Sequence, residues 1–338
     1  MSRRPPWQQQ CLKQQVRWKH RTTALPEDAK KPGHCWIEKG RRRERIGPFD
    51  FCLPEDCAAW NLLPDIRAEA LERFEAHGIP WHMWTASGGV EHPSTHLLDS
   101  QVQCVNALLS AANEGKLLDL VRLFEPDVAR LLEVEDGSPV AFEWIGAEDY
   151  LGEGRGKPRT RGAYVTSADA VLVAETPAER VGIIAEWKYT ESYDAPMPVV
   201  SQWGTDRRDR YRPHYDIDRC VFEQRPPLAA YFHEPHYQLL RLALLAQEMV
   251  AHREFGIDRA VLLHLVPEGN AALHHGVPDA LRYFGGTVEE VWTQLLPGPE
   301  VRYVLMDSTR VLESTAGLRE RYGHPGSSEP QGKPRLVP

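Results

Sequence analysis

The sequence predicts an α/β protein, a mixed central sheet flanked by helices, with helical and extended additions on the N-terminal side. Three stretches carry that expectation. Residues 168–174 and 181–188 are apolar runs rich in Val, Ile and Ala around a polar connection containing Pro177, the pattern of a β-hairpin. Residues 259–266 form another buried-strand run, reached from the hairpin through a long helix that starts at Glu234-Pro235 and stops at Gly256. Strand, crossover helix and strand make a parallel unit, so the sheet is mixed. Residues 97–112 place Leu98, Val102, Val105, Leu108 and Leu109 on one helical stripe, able to cover a sheet face.

The rest of the 338-residue chain is arranged around these three. Residues 1–46 are expected as a basic, flexible arm and 47–95 as an extension packed on the core. Within the extension, 49–54 reads as extended, and 58–63 and 65–77 as helices. In the second helix Ile66, Ala70, Leu71 and Phe74 recur at helical spacing, and Gly78 closes it. The aromatic stretch 79–84 reads as half-buried, with His82 a core histidine. The core is expected over 96–310. Ser94 or Thr95 is the expected cap of the 97–112 helix. A second helix is expected over 116–132, a first core strand over 140–145, a Gly- and Arg-rich loop over 148–162 and an irregular segment over 189–227. A helix at 287–295 and a strand at 301–306 complete the core. Residues 311–338 are expected as a tail, largely disordered from Gly323.

Hydrophobic residues at 42% and charged residues at 26% are ordinary for a globular protein. No apolar run is long enough to span a bilayer, and the first residues lack the apolar stretch of a signal peptide, so a cytoplasmic protein without a membrane partner is expected. Six scattered cysteines are expected as thiols. Cys35, Cys52 and Cys57, with His34 nearby, offer zinc ligands at spacings that match no standard finger, which leaves a zinc-stabilised interaction protein as an alternative. The net charge of −8 divides unevenly: residues 1–50 hold 13 Lys or Arg against 5 Asp or Glu, a balance of +8, which leaves −16 on the remainder. With Trp7, Trp18 and the basic run at 41–45, that segment suits a phosphate backbone as well as it suits a solvated N-terminus. No P-loop, dinucleotide fingerprint or internal repeat is present.

The chemistry concentrates at one end of the hairpin. Asp169 opens its first run, and Glu186 and Lys188 close the second. Residues two apart in a strand share a face, so Glu186 and Lys188 project together, and pairing of the runs brings Asp169 beside Glu186. Two carboxylates and one ammonium then meet, an arrangement that suits a hard divalent cation such as Mg²⁺; an ordinary ion-pair cluster is the alternative.

Asp169 followed by Glu186-Trp187-Lys188 resembles the PD-(D/E)XK nuclease superfamily. The wider pattern, Ser167-Ala168-Asp169-Ala170 and Glu186 to Glu191, has Leu98-Asp99-Ser100-Gln101 before it and Tyr237 to Arg241 after it. It resembles bacterial restriction-endonuclease-like proteins of that superfamily over roughly residues 81–307. Ala168 stands where the motif's Pro would be.

The resemblance implies a restriction-endonuclease-like core. It implies metal-dependent hydrolysis of DNA phosphodiester bonds in a restriction or defence role. A nucleic-acid-binding protein with an inactive nuclease fold and a DNA repair or recombination nuclease are the alternatives. It also implies Asp169, Glu186 and the main-chain carbonyl of Trp187 as ligands of Mg²⁺ or Mn²⁺, and Lys188 as the residue that orients water or phosphate. Glu143 is either a further ligand or a solvated carboxylate. Gln101 (or Asp99) on the helix before the sheet and Gln238 on the helix after it are the supporting candidates. DNA is the expected partner, with a homodimer as a candidate assembly. Arg155, Arg159 and Arg161, beside Lys157, and Arg207, Arg208 and Arg210 are the expected DNA contacts, with solvated charged loops as the alternative.

Overall fold

The structure, a computed structural model, describes residues 5–39, 42–81, 92–154, 158–163, 165–193, 195–200, 204 and 206–323. Helix α1 (Pro6–Arg21) is followed by an antiparallel hairpin of β1 (Gly33–Lys39) and β2 (Arg42–Phe49). Helices α2 (Arg67–Ala76), α3 (Ser100–Asn113) and the short α4 (Leu117–Val121) come next. Strands β3 (Arg130–Leu132), β4 (Ala141–Trp144), β5 (Ala168–Glu175) and β6 (Arg180–Trp187) lead to α5 (Arg207–Tyr215) and α6 (His236–Ala251). The chain finishes with β7 (Arg259–Val266), α7 (Ala271–His274), α8 (Val288–Leu295), β8 (Val301–Asp307), α9 (Thr309–Leu312) and α10 (Ala316–Tyr322).

The central sheet has six described strands in the order β3-β5-β6-β7-β8, with β4 also paired to β5. β3, β4 and β6 run antiparallel to β5, whereas β6–β7 and β7–β8 are parallel, so the sheet is mixed. The parallel pairing follows from the crossover through α6, as expected for a strand–helix–strand unit. Alternation along the strands splits the core in two. Leu172, Ile183, Ala185 and Leu263 pack with α3 on one face. Val171, Val173, Ile184 and Leu262 pack with α6 and α8 on the other. The result is a helix–sheet–helix sandwich with the restriction-endonuclease-like architecture.

Several segments differ from expectation. The N-terminal region does not form an arm among the described residues. Lys19 of α1 is buried, its ammonium donating to the carbonyls of Lys31, Asp50 and Cys52 at 2.8, 2.9 and 2.9 Å. The expected C-terminal tail is also packed up to Gly323. Arg321 is buried, bonds Asn61 and Gln15, and stacks 4.4 Å over the Trp18 ring. The two ends of the chain thus close on each other, which neither local periodicity nor composition encodes. Residues 324–338 lie outside the described residues.

The helix expected over 116–132 ends at Val121, because Pro126 disfavours helical backbone before it. Residues 130–132 instead form an edge strand on β5. The cap of α3 is Asp99, whose carboxylate accepts from Val102 N at 2.9 Å, not Ser94 or Thr95. The segment 189–227 is not irregular throughout, since Asp206 caps α5 and Tyr211 and Tyr215 bury its inner face. Cys35 and Cys52 lie in one small apolar cluster and Cys57 in another, so the expected zinc ligands do not converge. His82 lies outside the described residues.

Candidate active site

The site is built from strand register. Ala170 pairs with Ala185, so Asp169 falls opposite Glu186, and Glu186 pairs in turn with His264 of β7. Neighbours across strands share a face, and this row faces α6. Trp187 points the other way, its indole N–H donating to Gln103 Oε1 of α3 at 3.0 Å. That anchor commits Glu186 and Lys188 to the α6 side. The backbone N–H of Lys188 donates to Leu265 O at 2.8 Å, which carries the parallel ladder one residue past β6 and fixes where its side chain starts.

Glu143 completes the row from β4. Phe142 and Trp144 pair with Ala170 and Ala168, which leaves Glu143 beside Asp169. Its φ of +49° is a left-handed conformation that a Glu holds only under constraint. Its buried carboxylate accepts from Gln101 Nε2 at 2.8 Å and from Ser167 Oγ at 3.0 Å. Gly162, itself at φ +69°, leaves room for that carboxylate; a Cβ there would sit 3.2 Å from it.

Asp169 Oδ2 accepts from the Trp187 backbone N–H at 2.6 Å. Lys188 Nζ lies 2.6 Å from Glu186 Oε1 and donates to Gln238 Oε1 at 2.6 Å, with the Tyr193 ring 5.8 Å away. Glu186 and Lys188 are 3% and 5% exposed, so this is a buried ion pair. A polar cavity of about 260 Å³ opens over the group and is lined further by Thr166, Glu191 and Arg241.

Burial, with the charges of Glu186 and Glu143, pushes the Asp169 carboxyl well above the usual carboxylate range. For Lys188 burial favours the neutral amine, but Glu186, Tyr193, Glu191 and Asp169 together outweigh it and hold the ammonium well above its ordinary value. A lysine in that state is a charge and a hydrogen-bond donor near neutral pH, not a base. His264, buried beside this charge, is pushed well below its ordinary value and stays neutral.

The donor chemistry suits a hard divalent cation: acidic side chains crowded together with one ammonium among them, and a carboxyl whose ionisation burial and its acidic neighbours oppose. One ion at ~2.1 Å ligand distances spans no more than about 4.2 Å between oxygens. Among the described residues, the groups whose ligand atoms all lie within 4.8 Å of one another are His77, Glu135 and Asp136, not the cavity carboxylates. As they stand, Asp169, Glu186 and Glu143 therefore cannot all reach a single ion. The His77 group is engaged elsewhere, with Arg161 2.6 Å from Glu135.

The structure thus brings Asp169, Glu186, Lys188, Glu143 and Gln238 together around one cavity, with Gln101 behind Glu143 and bonded to it. Asp99 is spent on the α3 cap. Arg159 and Arg161 turn inward: Arg159 donates to Ile145 O and Gly146 O at 2.7 and 3.0 Å, and Arg161 to Phe142 O and Glu135. Both brace β4 and the turn after it. Arg155 and Lys157 lie outside the described residues. On α5, Arg207 bonds Pro198 O, Arg208 pairs with Asp206 at 2.6 Å, and Arg210 lies 3.9 Å from Glu153. Thr166, Ser167, Tyr193 and Arg241 also line the cavity, beyond the expected site residues. Ser167 and Arg241 stand inside the stretches that carry the resemblance, so their positions are readable from the sequence though their contacts are not; no sequence signal marks Thr166 or Tyr193.

No helix is long and apolar enough to cross a membrane among the described residues. No curated protein and no solved structure matches the chain. A family model described as restriction endonuclease associating with ARP matches residues 13–316. With that match over most of its length, and a mixed six-stranded sheet sandwiched by helices, the chain belongs to this restriction-endonuclease family.

Proposed function

We propose that the chain is a divalent-metal-dependent deoxyribonuclease of the restriction or defence type. The observation that supports this is the row Glu143, Asp169 and Glu186, closed by Lys188, on the floor of a polar cavity. Asp169, Glu186 and the Trp187 carbonyl would hold Mg²⁺ or Mn²⁺, with Glu143 joining after a side-chain adjustment. Such an ion makes water a nucleophile near neutral pH and offsets charge that builds on phosphate.

The chain's own residues divide the remaining work. Lys188, fixed between Glu186 and Gln238, presents an N–H to the attacking water or to a phosphate oxygen. Gln238 and Gln101 hold Lys188 and Glu143 in place, so little reorganisation is needed at the moment of reaction. Burial of Glu186 and Lys188 strengthens the interaction between them.

The test is incubation of the purified chain with supercoiled and linear DNA and with RNA, in Mg²⁺ or Mn²⁺ and with EDTA as control. Metal-dependent cleavage of DNA is the expected outcome. Absence of cleavage under every metal condition would overturn the proposal.

A further inference from the structure

Arg241 follows Gln238 by one turn of α6, and both side chains line the cavity. Its Nε donates to Thr166 Oγ1 at 2.9 Å, its nearest carboxylate oxygen is Glu153 Oε1 at 3.9 Å, and the Tyr237 ring lies 5.5 Å away. Among the described residues the guanidinium makes no further hydrogen bond, so both terminal NH₂ groups are unbonded. The side chain keeps 22% of its surface exposed.

Glu153 lies close enough to favour the charge but does not hydrogen-bond it. That carboxylate accepts from the Thr166 N–H and from Tyr211 Oη at 2.8 Å, and Arg210 lies 3.9 Å from it as well. That carboxylate faces two guanidiniums. Burial works against the Arg241 charge, but Tyr211, Glu153, Tyr237 and Glu234 outweigh it and keep the guanidinium charged. What remains open is its hydrogen bonding, since neither carboxylate bonds the terminal NH₂ groups, which are left to an anionic ligand. The geometry is also fixed in advance: Glu153 holds the Thr166 backbone, and the Thr166 hydroxyl holds Nε. The fork is therefore set before any ligand arrives.

The same cavity has an acidic floor, with Asp169, Glu186 and Glu143 against Lys188. A ligand that suits both ends must be an anion able to bridge a cation on the floor and a planar fork on the wall. A phosphodiester does this, since two of its oxygens match the spacing of an arginine fork.

We propose that Arg241 is a substrate-binding residue that holds one backbone phosphate of the nucleic acid in the fork of its terminal nitrogens. It thereby seats the strand over the carboxylates. The inference rests on the nuclease reading and adds a residue to it.

The test uses the full chain with Ca²⁺ in place of Mg²⁺ to hold off cleavage. A labelled duplex is titrated over a salt series and read by anisotropy, for wild type, Arg241→Gln and Arg241→Lys. Arg241→Gln is expected to weaken binding about tenfold and to lower the salt slope by about one. Arg241→Lys, with the charge and without the fork, should fall between. In parallel, duplexes carrying one neutral methylphosphonate at each position in turn are compared. One position should weaken the wild type and leave Arg241→Gln unchanged.

A purely structural Arg241 would lower the melting temperature, leave the salt slope unaltered and give no such position. With wild-type cleavage intact, that result overturns this inference and spares the nuclease reading. If Arg241→Gln does not fold, the scan is run with wild type and Arg241→Lys, and the absence of any differing position is equally decisive against it. A wild type that neither binds nor cleaves DNA overturns both.

Discussion

Asp169→Asn separates charge from geometry at the candidate site. The amide keeps an oxygen for the Trp187 N–H while removing a carboxyl whose ionisation burial, Glu186 and Glu143 all oppose. The metal-free protein should therefore melt about 2 °C higher or more, with cleavage abolished, as read by thermal melts in EDTA beside the cleavage assay. An unchanged or lower melting temperature would show that Asp169 is not repelled there. Lys188→Ala works in the opposite direction. It strands a buried carboxylate whose ammonium partner lies 2.6 Å away, so it should cost about 3 kcal/mol as well as activity. Denaturant melts check this, and a cost within ~0.5 kcal/mol would mean that Glu186 is better solvated than its burial indicates.

Two helices outside the sheet hold the site in place. Helix α5 and the segment after it dock on α6 through Glu248, which is met by His214 of α5 at 3.1 Å and by Arg219 beyond it at 2.8 Å. Burial alone would raise the Glu248 carboxyl, but those partners outweigh it and pull it down to about 2. A carboxyl depressed on folding stabilises the protein above its unfolded value and loses that contribution as pH falls through the folded one. Stability of the wild type should thus drop between pH 4.5, the ordinary value, and about 2 more steeply than that of Glu248→Gln. Parallel curves would show that Glu248 does not dock α5.

Helix α1 reaches the other side of the site. Trp7 Nε1 donates to Tyr189 O at 2.8 Å, one residue beyond Lys188, and the ring packs where a Cβ on Gly269 would clash. Trp7→Phe should lower the cleavage rate at saturating DNA while leaving the salt slope of binding unchanged. A reduced slope with an unchanged rate would instead make Trp7 a DNA contact.

Over the whole molecule the same contact changes what the basic N-terminus is for. With Lys19 buried and Gln15 bonded to Arg321, removal of residues 1–45 should abolish the cooperative melt, not merely weaken DNA binding. A truncated chain that melts cooperatively and cleaves would restore the arm. The sheet was legible in the sequence because its strands are apolar runs of strand length, and α3 and α6 because their periodicity is strong. Glu186 and Lys188 were legible as a pair because residues two apart share a strand face, and Asp169 beside Glu186 because the two runs pair as a hairpin. The role of Gln101 and Gln238 was reachable only through resemblance, since nothing local in a helix says which polar residue meets the sheet. The closure of α1 on α10, the inward turn of Arg159 and Arg161 and the open fork of Arg241 were not legible. Each depends on contacts between residues far apart in the chain, and an arginine in a loop reads as solvated until its partners are in view.

Anomalous diffraction from crystals soaked in Mn²⁺ asks where the ion goes. A peak about 2.2 Å from carboxylate oxygens of both Asp169 and Glu186, lost in Asp169→Asn, is the expected result. A peak confined to His77, Glu135 and Asp136, with none at the cavity, would contradict the assignment of this site as a metal-dependent nuclease centre.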